Sequence, residues 1–182
     1  MAIPLIIQRG LEEILPAEKP SACMNCDEFK KKDGSVVVFV ELHSRTGHAA
    51  VFIGKATDDD RILYDPCGSY VKKGLNYRSG DILSANEFDY ADYKEFHEEG
   101  DKNADLRYYI FKITKDEEKA IRERILDPEG PSTCTLECAT QVRRVLNGIG
   151  PFRNLKAGFL VDLPSTLAAD VKTIQESEKR KP

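Results

Sequence analysis

The sequence has no long apolar run, no basic cluster ahead of its first apolar residues and only three histidines, and each shortage removes a class of function. No stretch approaches the roughly 18 consecutive apolar residues that a membrane-spanning helix needs, so no stable membrane insertion is expected. Met1 to Ile7 are apolar, but no basic residues precede them and the run breaks at Gln8-Arg9-Gly10. This is not the pattern of a secretory signal peptide, and it predicts a chain made in the cytoplasm without one. A clustered basic face is missing too: acidic and basic residues are mixed, and the formal net charge is −4. That balance excludes a nucleic-acid partner.

Pairing of all the cysteines is also impossible within one chain, because there are five: Cys23, Cys26, Cys67, Cys134 and Cys138. Cys23-Met24-Asn25-Cys26 could be half of a zinc site, a redox pair or two plain thiols. A complete zinc site would draw on the remaining cysteines at unrelated spacings, so neither a metal nor a cofactor is expected. What is present is enough for one compact domain. A chain of 182 residues, 41% of them hydrophobic, can bury a core but is short for two domains.

The segment 1–34 reads as an irregular N-terminal arm with a short helix near 9–15, closed by the turn signal Lys30-Lys31-Lys32-Asp33-Gly34. Ser35 to Leu42, rich in Val and Phe, reads as a buried strand. His48 to Gly54 and Arg61 to Asp65 read as two more, joined by the polar loop 55–60. The stretch 66–103, rich in Gly, Tyr and acids, reads as an insertion with short elements beside a cleft. Leu106 to Ile113 is the clearest strand. Thr114-Lys-Asp-Glu117 then fits the capping box of a helix that Pro128 stops. A second helix starts near Cys138, with Thr135 as its expected cap, and Gly148, Gly150 and Pro151 end it. A last helical pattern, Leu167, Val171 and Ile174, leads to an expected disordered tail at 176–182.

Three residues in this layout could do chemistry together. Cys138 lies in the first turn of its helix, where unbonded N–H groups and the helix dipole favour a thiolate. On the same face recur Val142, Val145 and Ile149, so the thiol is equally suited to inert core packing. A nucleophilic cysteine needs a base. His43 ends the first strand, and His97 sits among acids and reads as a surface residue. His48 opens an apolar strand in phase with Ala50 and Phe52; it is either a hydrogen-bonded structural residue or the base. Asp65 would lie opposite or diagonal to His48 across the hairpin, where its carboxylate could orient the ring, or it could simply begin a turn with Pro66.

Gly47-His-Ala-Ala-Val-Phe-Ile-Gly54, then Arg-Ile-Leu-Tyr-Asp65, then Cys138-Ala-Thr-Gln-Val-Arg-Arg-Val-Leu146 together resemble the circularly permuted NlpC-type branch of the papain-like superfamily, which includes lecithin retinol acyltransferase-like proteins. The matched segments cover about a quarter of the chain. The resemblance implies an α+β fold with a central antiparallel sheet packed against the helix that bears the nucleophile. It also implies Cys138 as nucleophile, His48 as general base and Asp65 as the orienting residue. Members of the branch often carry Asn before the Cys, where this chain has Glu137, an acid that raises a neighbouring thiol's pKa unless its side chain turns away. Cys134, one turn earlier, is a competing thiol.

The function so implied is a cysteine hydrolase that cleaves an amide bond in bacterial cell-wall stem peptides. Small relatives without export signals resemble antibacterial effectors of type VI secretion, which implies a secretion apparatus, delivery to the target-cell periplasm and a cognate immunity protein as partners. The same three residues could instead serve a thiol acyltransferase or phospholipase, or a protease or deamidase of host proteins. The scaffold could also be an inactive binding module.

Overall fold

The computed structural model describes residues 35–42, 47–54, 58–68, 70, 82–100, 102–127, 137–156 and 162–180. The expected N-terminal arm with its helix near 9–15, the Cys23/Cys26 pair, His43, Cys134 and Thr135 lie outside the described residues.

A mixed α+β fold is built on one five-stranded antiparallel sheet. Its strands are β1 (Ser35–Leu42), β2 (Gly47–Ile53), β3 (Ile62–Tyr64), β4 (Ile82–Ser84) and β5 (Asp105–Lys112). They lie in the order β4-β3-β2-β1-β5. β1 and β2 are interior strands covered on both faces, and this is why they read as nearly continuous apolar runs instead of alternating ones. Residue parity divides the core cleanly. Val36, Val38, Val40, Ala49, Val51 and Ile53 face one layer of helices, whereas Phe39, Ala50, Phe52, Leu63 and Leu83 face the other side.

Three helices fill the first side: α2 (Lys115–Leu126), α3 (Cys138–Leu146) and α4 (Pro164–Lys179). α2 starts with the expected capping box, in which Thr114 Oγ1 accepts from the Glu117 N–H at 3.2 Å and Glu117 Oε2 accepts from the Thr114 N–H at 2.7 Å. α3 packs on β2 and is buried almost all round. Even Arg143 is only 3% exposed, held by Asp170 at 2.6 Å. Glu137, not Thr135, occupies the N-cap position of α3.

On the second side lies α1 (Tyr90–Gly100), which covers the aromatic half of the core with Tyr93. The described residues of the stretch 66–103, read as an insertion with short elements, hold β4 and the 11-residue α1. β4 completes the sheet and α1 forms its own layer, because Tyr90, Tyr93 and His97 recur at helical spacing on an otherwise acidic segment. The expectation for the tail is corrected. α4 runs to Lys179, so 176–179 are helical where disorder was expected; Glu176, Glu178 and Lys179 are good helix formers continuing a helix already anchored by Leu167 and Val171.

Candidate active site

His48 stands second in β2, directly across from Glu41 of β1. The pairing of Val51 with Tyr64 sets Ala50 against position 65, so Asp65, the residue after β3, is diagonal to His48 and on its face. The two side chains meet, with His48 Nε2 and Asp65 Oδ1 2.5 Å apart. Asp65 is 1% exposed, and a carboxylate so buried needs several partners. Tyr93 on α1 provides another, its hydroxyl donating to Asp65 Oδ1 at 3.0 Å. Burial first, and then the adjacent Asp65 charge, push the Tyr93 phenol well above its ordinary pKa, so it stays a donor.

The turn after β3 holds the carboxylate closely. The Gly68 N–H donates to the Asp65 carbonyl at 3.0 Å, and a Cβ at position 68 would fall 1.7 Å from Asp65 Oδ2. Only glycine allows that approach.

Cys138 comes from the opposite side of the sheet. It is the first residue of α3 and packs with Ala49, Val51 and Val142, whereas His48 shares the face of Ala50 and Phe52. They meet because His48 is at the end of its strand, where the thiol lies over the start of β2, with Sγ 4.0 Å from the Gly47 carbonyl oxygen. With Nε2 taken by Asp65, Nδ1 is the ring nitrogen left to face sulfur.

The electrostatics of the three are coupled. Burial raises the Cys138 pKa, but the hydrogen bond and charge of His48, with the N–H groups of Ala49 and Ala139, outweigh it and bring the thiol below its ordinary value. For His48, burial disfavours the imidazolium, yet the Asp65 charge and hydrogen bond, aided by Cys138, push its pKa up to about 10. Both shifts act in the direction of a thiolate beside an imidazolium, the reactive form of a nucleophilic cysteine. The first N–H groups of α3 precede its first intrahelical bond, from the Gln141 N–H to the Glu137 carbonyl, and are positioned to receive developing negative charge. The Glu137 side chain turns along the helix, where Gln141 Nε2 donates to it at 3.2 Å.

The three residues singled out from the sequence therefore converge. His97, expected at the surface, does not behave as expected: it is 8% exposed, its Nδ1 is 2.9 Å from Glu41 Oε2, and its ring stacks on His48 with centroids 5.6 Å apart. A cleft of about 300 Å³ opens beside this stack, lined by His48, Cys67, Gly68, Phe96 and His97. Tyr93, Gly68 and the Glu41–His97 pair were not anticipated. The signal for Glu41 was available, since an acid in phase with Phe39 on an interior strand requires a buried partner. Among the described residues, no group of three His, Cys, Asp or Glu side chains is arranged to hold a metal ion.

Comparison of the chain with protein-family models, with curated proteins and with solved structures returns no match.

Proposed function

We propose that this protein is a papain-like cysteine hydrolase acting on an amide bond, with Cys138 as nucleophile, His48 as general acid and base, and Asp65 orienting and charging His48. One observation carries the reading: a buried thiol at a helix start, an imidazole and a carboxylate form a single linked array in which the thiol pKa is lowered and the imidazole pKa raised. A buried cysteine with a purely structural role has no need of such partners.

In the proposed reaction the Cys138 thiolate attacks the amide carbonyl carbon, forming a C–S bond and a tetrahedral oxyanion held by N–H groups at the start of α3. Collapse breaks the C–N bond, and the leaving amine takes the proton of the His48 imidazolium. Now neutral, His48 accepts a proton from water as it attacks the thioester, and the acid product departs with the thiolate and imidazolium restored. Asp65, desolvated and held by Tyr93, fixes the ring orientation throughout.

The substrate class follows from the resemblance of the His48, Asp65 and Cys138 segments to the permuted NlpC-type branch. It is an amide bond in cell-wall stem peptides, cut by an effector that a secretion apparatus delivers to the periplasm and that a cognate immunity protein restrains in the producer's kin. The test is incubation of the wild type, Cys138→Ala and His48→Ala with muropeptides, with products resolved by mass. The wild type should release new fragments and both variants none, while Cys134→Ala, the control, should retain cleavage. Hydrolysis surviving in Cys138→Ala sinks the assignment; an inert wild type whose Cys138 is nevertheless reactive sinks the wall-peptide substrate alone.

A further inference from the structure

The mechanism uses one histidine–carboxylate pair, yet the site contains two. His97 and Glu41 form a second pair in the same buried patch, with side chains 9% and 7% exposed. Its ring lies nearly parallel to that of His48, 11° between planes, on the wall of the cleft. A Phe39–Tyr93–Phe96 collar packs around it, so its position is rigid. In the tautomer whose Nδ1–H donates to the Glu41 carboxylate, the ring lone pair lies on Nε2. That atom is shielded from water and has no hydrogen-bond partner among the described residues.

A buried polar atom without a partner among the described residues is costly, and its presence on a residue that lines the cleft, one ring away from the proposed base, calls for a ligand group. We propose that His97 is a substrate-binding residue whose Nε2 accepts a hydrogen bond from an amide N–H flanking the carbonyl attacked by Cys138, and that Glu41 is the positioning residue that sets its tautomer. The cleft thereby selects peptide-type substrates with a free N–H over esters or tertiary amides at that position. This rests on the thiol hydrolase reading and names how that site recognises its substrate.

The test uses N-acetyl-alanyl chloromethyl ketone and its counterpart with a methylated amide nitrogen, two probes with the same alkylating group that differ in one N–H. In both, the Cys138 thiolate forms a C–S bond at the chloromethyl carbon and chloride leaves. Rates of capture at Cys138 are followed by mass spectrometry of the digested protein. One buried hydrogen bond should make the N–H probe about tenfold faster in wild type. His97→Asn, whose amide can still reach Glu41 but not the Nε2 position, should reduce that ratio to within about twofold of unity, methylation bulk included. His97→Gln, whose amide oxygen reaches the Nε2 position, should restore most of it.

A merely structural role for His97 would change both rates together and leave the ratio alone. An N–H preference absent from the wild type, or undiminished in His97→Asn, overturns the proposal. The wild-type comparison decides even if a variant does not fold. If both probes capture wild-type Cys138 no faster than they capture it in His48→Ala, the underlying thiol reading fails instead, a result separate from any change in ratio.

Discussion

Gly68→Ala tests the proposed site without replacing any of its three side chains. The added Cβ would lie 1.7 Å from Asp65 Oδ2, 2.1 Å from Cγ and 2.5 Å from Oδ1, so rotating the carboxylate cannot relieve the clash. The whole group must withdraw by about 1.7 Å to reach ordinary van der Waals contact, about 3.4 Å. A retreat of that size carries Asp65 Oδ1 from 2.5 Å to roughly 4 Å from His48 Nε2, beyond hydrogen-bonding range. Losing a buried charge-assisted bond costs about 1.5–3 kcal/mol, and the loss of the Tyr93 hydroxyl bond adds about 1 kcal/mol.

Urea unfolding should therefore show Gly68→Ala destabilised by about 2.5–4 kcal/mol in the wild-type background. In an Asp65→Ala background the clash disappears, and the same substitution should cost under about 0.5 kcal/mol, a coupling characteristic of contacting residues. The catalytic counterpart is the rate of Cys138 alkylation by iodoacetamide at neutral pH, mapped by mass spectrometry to separate it from the other cysteines. Gly68→Ala should slow it at least tenfold, down to the Asp65→Ala rate and no further. Equal costs of Gly68→Ala in both backgrounds would refute the reasoning, as would a wild-type alkylation rate in the single variant.

His48→Ala should move the pH midpoint of Cys138 alkylation up to or beyond the ordinary thiol value, because burial then acts without the opposing imidazolium; an unmoved midpoint would separate the two residues. With its folded pKa raised, His48 contributes stability that is complete below pH 6.5 and is lost as pH rises through about 10. The stability advantage of wild type over Asp65→Asn should accordingly shrink between pH 8 and pH 10.5, and an advantage that grows over that range would contradict the assigned ion pair. Tyr93→Phe deletes one donor to Asp65 and should cost about 1 kcal/mol in stability and a few-fold in muropeptide turnover, while Cys138 remains alkylable. An unchanged turnover would remove Tyr93 from the site.

The parts of the site legible in the sequence were those governed by parity and capping. Period-two alternation placed His48 with Ala50 and Phe52, and a short hairpin brought Asp65 to the same face, because both relations are local. Parity names a face but not what covers it. The helix of Cys138 covers the other face, and the thiol reaches His48 only because the histidine ends its strand, a meeting that depends on where α3 begins relative to β2. α1 was hidden for a different reason. Asp92, Glu95, Glu98 and Glu99 dominate its composition, and their solvated faces masked the aromatic stripe that carries Tyr93 and His97.

The overlooked pair changes how the site is to be understood. Burying a carboxylate and an imidazole against each other gives little net stability, and apolar residues of similar volume often do as well. Glu41 opposite His48 on the adjoining strand, bound to a histidine that stacks on His48, is therefore poorly explained by folding alone. Each carboxylate engages a different ring nitrogen, Asp65 binding Nε2 of His48 and Glu41 binding Nδ1 of His97. The two rings are thus held with opposite edges available: Nδ1 of His48 on the side of the thiol, and Nε2 of His97 without a partner among the described residues. In the proposed reaction one ring would move a proton and the other hold a substrate group beside it, a division that a single histidine could not provide.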